Sequence, residues 1–261
     1  MDKEQLHYDT MHIGFLEKLW GDGFMSPGGY GEVKRLLIDT NMSGSKVLDI
    51  GCGAGGITLS LVNDFDAKMV IGVDVEADVV EKAKTKVKKA SLDDQIKILL
   101  IGQGKLPLKA NTFDIVFSKD SIVHISNKEK IFNEVFRVLI PGGIFVFSDW
   151  LISHDQEPSP EMKYYLDLED LGFGMASPIV YEKSLRKSGF TSIEVRNRNS
   201  WYTNEARREL DILSGSDRRS YEKLTSQEFI NRQILTWKAM IKVLETGEHC
   251  PHHFRAIKPK L

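Results

Sequence analysis

The 261-residue sequence predicts an α/β fold: a mostly parallel, seven-stranded sheet with helices on both faces and helical additions at either end. Three observations predict it. Short, near-continuous apolar runs recur through residues 45–150, the pattern of parallel strands buried on both faces. Segments with apolar residues at helical spacing lie between those runs. The first run ends in a glycine cluster that opens one of the helical segments.

Residues 1–45 read as two helices separated by a turn, Gly21-Asp22-Gly23 to Ser26-Pro27-Gly28-Gly29. Lys46-Val47-Leu48-Asp49-Ile50 is the first strand and Met69-Val70-Ile71-Gly72-Val73 the second. Ile96 to Ile101 is the third, Phe113 to Phe117 the fourth, and Gly143 to Ser148, announced by Pro141-Gly142, the fifth. Helical patterns fill Gly56 to Phe65, Val79 to Ala90, and Lys128 to Leu139 with its Ile131, Val135, Val138 and Leu139 stripe. The breaker-rich stretch 155–160 precedes a helix from Met162 to Leu171. A helix at Tyr181–Ser188, a strand at Thr191–Val195, mostly helical residues 204–246 and a closing strand at Phe254–Ile257 complete the chain. With no repeat, low-complexity tract or flexible linker, the expectation is one domain over 1–261, divided as 1–44, 45–150 and 151–261.

Composition narrows the function. With 35 basic and 37 acidic residues the net charge is −2, which offers no basic field for nucleic acid or an anionic membrane. Two cysteines make no disulfide framework. The first residues lack the order of a signal peptide, and no apolar run nears the ~18 residues of a span. A cytoplasmic protein that meets neither membrane nor nucleic acid is expected. His249-Cys250-Pro251-His252-His253 gathers metal-ligand types, but Pro251 breaks any helical spacing, so no metal is expected.

Gly51-Cys52-Gly53-Ala54-Gly55-Gly56 fits the G-x-G-x-x-G string between a strand and a helix, where bare backbone and free N–H groups meet a ligand closely. Asp74 ends the second strand 18 residues after Gly56, placed to accept both hydroxyls of a ribose. A dinucleotide and S-adenosylmethionine both suit these two features. Three others favour the latter. Asp49 stands two residues before the first glycine, where a methionine ammonium needs a counter-charge; Phe113-Asp114-Ile115-Val116 and Leu139-Ile140-Pro141-Gly142-Gly143 mark the fourth and fifth strands. With Val47-Leu48-Asp49-Ile50-Gly51-Cys52-Gly53, these resemble the motifs of class I S-adenosylmethionine-dependent methyltransferases over residues 40–150. The resemblance implies a Rossmann-like core, 45–150, holding the cofactor through Asp49, Gly51, Gly53, Asp74, Val75 and Ser118. Such enzymes usually carry an acidic residue before a Leu-Pro pair to reach the adenine; here Gln103 and the Gly104 amide take that place, or Gln103 is only a loop residue.

The segment after the fourth strand, Ser118-Lys119-Asp120-Ser121-Ile122-Val123-His124-Ile125, should face the reacting end of such a cofactor. Asp120 and His124, four apart, share a face if the segment is helical. A carboxylate holds a cationic amine and a histidine removes its proton. The competing reading pairs Asp120 with Lys119 or a backbone amide and makes His124 a cap. Together with His7-Tyr8, Phe24-Met25-Ser26-Pro27-Gly28-Gly29 and Phe147-Ser148-Asp149-Trp150, the segment resembles the phosphoethanolamine and sarcosine/dimethylglycine N-methyltransferases. That resemblance implies a small-molecule amine acceptor and a helical lid, 1–44. It also implies Tyr8 and His124 as an acid–base pair, Asp120 orienting the amine, and Met25 and Ser26 lining the cofactor pocket. Where the phosphobase enzymes grip phosphate, this chain has Trp150, Tyr165 and Trp237 as acceptor-binding candidates. Glu161, Asp167, Glu169 and Asp170 fill the stretch where an arginine is wanted. A phosphate clamp is therefore not evident, and these carboxylates are expected to face solvent. Arg186, Arg196, Arg198, Arg207 and Arg208 stand as weaker candidates for an acceptor carboxylate, and Trp201 and Tyr202 as possible cover for the pocket. The rival within the fold is O- or C-methylation of a natural-product or quinone-like acceptor, and the assembly is expected to be a monomer or homodimer.

Overall fold

The apolar runs join into a single sheet. In the computed structural model, which describes residues 9–102, 104–170 and 172–260, the strands are β1 (Lys46–Ile50), β2 (Met69–Asp74), β3 (Ile96–Leu100), β4 (Phe113–Lys119), β5 (Leu139–Asp149), β6 (Thr191–Asn197) and β7 (His252–Ile257). Their order is β3-β2-β1-β4-β5-β7-β6. The first five run parallel, and β7 is antiparallel to both β5 and β6. The chain winds outward from β1 to β3, returns, and restarts at β4 beside β1. Loops leaving the carboxyl ends of β1 and β4 therefore diverge, and a crevice opens between them.

Alternation along each strand divides the core in two. Ile115 and Phe117 join Val47, Val70 and Val146 under α2 (Gly29–Leu36), α3 (Gly56–Asn63) and α4 (Ala77–Lys89). Val116 joins Leu48, Phe145, Phe147 and Phe254 under α5 (Lys128–Val138) and α7 (Pro178–Lys187). Each fully buried aliphatic or aromatic side chain there contributes roughly 1.5–3 kcal/mol. The start of β5 departs from expectation. β5 starts at Leu139, directly after α5, because Leu139 pairs with Phe113 and a register shift separates that pair from Ile115–Ile144. Pro141-Gly142 thus lies within a bulged strand, where proline is tolerated.

A third cluster lies beyond the sheet. Phe15, Leu16 and Leu19 of α1 (Thr10–Trp20) pack with Met162 and Tyr165 of α6 (Pro160–Glu169), Tyr202 and Ala206 of α8 (Asn199–Ser214), Tyr221 of α9 (Arg218–Leu224), and Ile230, Trp237 and Met240 of α10 (Gln227–Glu245). The two ends of the chain thus build one helical cap. Buried Glu32 of α2 fastens it: Arg198 donates to both carboxylate oxygens at 3.0 and 2.9 Å, and His253 Nε2 of β7 stands 2.8 Å away. None of the described helices is long and apolar enough to cross a membrane.

Candidate active site

The glycine loop leaves β1 with Gly51 at φ +74° and Gly53 at φ +51°. A Cβ on Gly51 would stand 2.0 Å from Ser121 Oγ, so only glycine lets the turn after β4 approach this closely. A Cβ on Gly53 would stand 3.2 Å from Met25 Sδ, which lays the segment between α1 and α2 over the loop. Asp49 is buried beneath, and its Oδ2 accepts a 2.6 Å hydrogen bond from Thr58. Burial pushes its carboxyl up to about 7 against that hydrogen bond, with the Asp74 charge adding to the rise. Among the described residues no cation contributes to that balance. Asp74 accepts Gly53 N–H at 2.9 Å and Glu76 N–H at 3.1 Å, one on each oxygen. Beside it Val75 is 48% exposed, an open apolar face at the end of β2.

At the end of β4 the chain turns sharply. Asp120 takes a left-handed conformation, φ +54°, and a short 3-10 turn, Ile122–His124, follows. The helical condition for a shared face of Asp120 and His124 is therefore not met: asparagine and aspartate tolerate this backbone, and the helix begins only at Lys128. The two side chains nevertheless reach the same cavity. Asp120 accepts from Lys119 Nζ at 2.6 Å, Ser148 Oγ at 2.7 Å and Tyr202 at 3.5 Å. The carboxylate is thus held by fixed donors and partly neutralised, and it keeps lone pairs for a further one. His124 is exposed on the cavity wall, its ring 5.3 Å from that of Phe173.

The cavity holds about 340 Å³ between this turn and the cap. It brings together seven of the candidate site residues, Met25, Ser26, Asp120, His124, Trp150, Tyr165 and Trp237, along with Glu169 and Asp170. Trp20 and Trp237 form part of its wall, and both indoles donate to buried Glu209, at 2.6 and 2.9 Å. Trp150 stacks on His249 at 4.8 Å, and burial lowers that histidine to about 4, leaving it neutral. Glu169, Asp170 and Arg232 add charge to its lining. Loss of water pushes the Glu169 carboxyl up to about 7, opposed by the Tyr165 hydroxyl and by Arg232.

The expectation that Glu161, Asp167, Glu169 and Asp170 face solvent fails at Glu169, which is half-buried and lines the cavity. Asp170 also lines it but is exposed, as is Asp167, and Glu161 forms a partly exposed pair with Lys242. Ser118 is buried at the end of β4, its hydroxyl donating to Ile50 O at 2.9 Å and tying β4 to β1. Arg186, Arg196, Arg198, Arg207 and Arg208 pair with carboxylates elsewhere. Trp201 packs against Gly28 and two arginines, outside the cavity. Gly104 is exposed with φ +112°. Tyr8 and Gln103 lie outside the described residues. The reading missed His12, Phe229 and Arg232, cavity residues on α1 and α10. The one available signal was α10's polar–apolar alternation, which does not say which polar residue turns inward.

A family model for a methyltransferase domain matches residues 41–172. Phosphoethanolamine N-methyltransferase 3 of Arabidopsis thaliana is 27% identical over 246 residues, covering 94% of this chain and 49% of that protein. The chain spans about half the length of the curated plant relatives it matches. Haemonchus contortus phosphoethanolamine N-methyltransferase 2, solved in complex with phosphomonomethylethanolamine and S-adenosylhomocysteine, superimposes with a TM-score of 0.88 at 26% identity over 97% of this chain and 58% of that one. A putative sarcosine dimethylglycine methyltransferase from Galdieria sulphuraria shares the fold, with a TM-score of 0.81 at 21% identity over 97% of this chain and 100% of that one.

Proposed function

The chain belongs to the methyltransferase domain family, with its class I Rossmann-like fold, and from that premise we propose that it is an S-adenosylmethionine-dependent N-methyltransferase acting on a small amine. One arrangement carries this reading: Asp120 and His124 face an aromatic-walled cavity from the turn that touches the glycine loop.

The residues present fit the cofactor. Asp49 is a buried carboxylate with a hydroxyl partner and no cation among the described residues, which suits an α-ammonium and opposes a pyrophosphate. Asp74 keeps lone pairs for ribose hydroxyls, and Val75 offers an apolar face for the base. When bound, S-adenosylmethionine supplies a methyl group on a cationic sulfur. The chain's part is alignment, deprotonation and exclusion of water. Asp120, fixed by Lys119 and Ser148, accepts a hydrogen bond from the acceptor ammonium. His124 takes its proton and frees the nitrogen lone pair. The aromatic faces of Trp20, Trp150 and Trp237 favour positive charge as it passes to nitrogen.

The charged lining bears on the rest of the acceptor. Arg232 is one cation against Glu169 and Asp170, so with Glu169 ionised the three sum to a negative charge. This favours an amine with an uncharged tail over one with an anionic tail. Glu169 titrates at about 7. The preference for N-methylethanolamine over sarcosine, as a ratio of kcat/KM, is accordingly expected to shrink about tenfold between pH 8 and pH 6, as that carboxylate is neutralised. Glu169→Gln is expected to show the small ratio at every pH. A ratio independent of pH in the wild type contradicts this role.

Methyl-labelled cofactor offered with ethanolamine, phosphoethanolamine, glycine, sarcosine and a set of phenols tests the reaction class. Label in amines supports N-methylation. Label confined to phenols assigns His124 to a hydroxyl instead.

A further inference from the structure

The turn that carries His124 is gripped by two buried charges that do not touch the cavity. Lys128, the first residue of α5, is 3% exposed, and its ammonium points back into the preceding turn. It donates to Ile122 O and Ile125 O at 2.7 Å each and lies 3.4 Å from Val123 O. Asp149, the last residue of β5, is fully buried. Its Oδ1 accepts Val123 N–H at 3.0 Å and its Oδ2 accepts the Tyr181 hydroxyl at 2.5 Å. Burial lowers the lysine and raises the aspartate, and the charge of each opposes the shift of the other.

Isolated lysine and aspartate side chains are almost never buried to this degree, because desolvation outweighs what the fold gains. A turn of three 3-10 residues has weak internal hydrogen bonds and little rigidity of its own. Here the peptide groups on both sides of His124 are anchored from outside: Val123 N–H by Asp149, Val123 O by Gly174 N–H at 2.8 Å, and Ile125 O by Lys128. Apolar residues would fill the same volume at lower cost but would fix no peptide orientation. We propose that Lys128 and Asp149 are positioning residues, a buried clamp that sets the direction in which His124 presents its imidazole to the acceptor. The inference rests on the reading of His124 as the base.

A double-mutant cycle tests it, with His124→Ala, Lys128→Met and Asp149→Asn made singly and in pairs, each checked by circular dichroism to be folded at the assay temperature. Lys128→Met is expected to lower kcat roughly 10- to 100-fold, with acceptor KM and cofactor affinity within about twofold of wild type. In the His124→Ala background the same substitution is expected to change kcat by less than about twofold, because the clamp then has nothing to aim. If Lys128→Met does not fold, Asp149→Asn carries the same cycle: it keeps volume and an acceptor for Val123 N–H, removes the charge, and turns an N–H toward the Tyr181 hydroxyl. A loss that repeats in full on top of His124→Ala, or a kcat that follows only the folded fraction, overturns the clamp. Full turnover by His124→Ala alone overturns the base reading and the clamp with it, and the single variant by itself distinguishes that case.

Discussion

Replacing His124 with alanine is expected to lower turnover by about 10²- to 10⁴-fold, the range for a lost general base. Cofactor affinity should stay within about twofold, because Asp49 and Asp74 are set by hydrogen bonds from Thr58, Gly53 and Glu76. Stability should change little as well. The side chain is exposed on the cavity wall and is not part of the buried core; its ring contact is with Phe173. Steady-state rates, a binding titration and a melting curve separate the three quantities. A rate loss matched by lost cofactor binding places the histidine among cofactor contacts, and unchanged turnover removes it from the mechanism.

Asp49→Asn is expected to act on the other substrate. A hydrogen-bonded contact to a charged group contributes about 1.5–3 kcal/mol, so the variant should bind S-adenosylmethionine roughly 10- to 150-fold more weakly at pH 8. The pH dependence carries a firmer signature. Burial raises this carboxyl to about 7 in the folded protein, well above its ordinary value. Between pH 4 and 7 the folded chain therefore holds a proton that the unfolded chain releases, and this group's contribution to stability falls as pH rises through that window. A cationic ligand reverses the preference, since it needs the ionised form. Wild-type affinity should drop about tenfold for each pH unit below about 7, and the asparagine variant should lose that slope. Without ligand at pH 8, the variant should melt no lower than wild type, because it removes a buried charge that no cation among the described residues offsets. Calorimetry across pH 5.5–8 measures both effects, and equal slopes for the two proteins would deny Asp49 the ammonium.

Much of this site was legible because it sits where the chain's own rhythm puts it. Apolar runs between glycine and proline signals locate β1 to β4, and parallel topology directs attention to their carboxyl ends, where Asp49, Asp74, Asp120 and His124 lie. Four-residue spacing leaves helix and turn open over so short a stretch between Asp120 and His124, and the structure makes it a 3-10 turn. Asp120's left-handed backbone and the Gly51–Ser121 approach depend on tertiary contact. The cap was harder. Arg232, Glu169 and Glu209 lie on amphipathic helices whose polar positions look alike in sequence. Packing of α10 against α6 and α8 decides that Arg232 and Glu169 face the cavity while Glu209 turns inward to two indoles. Lys128 and Asp149 read as an ordinary first-turn lysine and a strand end, since their burial depends on α7 covering them.

The account stands most directly on where the methyl group arrives. Protein incubated with ¹³C-methyl S-adenosylmethionine and the best amine acceptor, followed by NMR of the product, should show one labelled carbon bonded to nitrogen, with that signal lost in His124→Ala. A label bonded to oxygen or carbon, or an N-methyl product formed undiminished by the alanine variant, would contradict it.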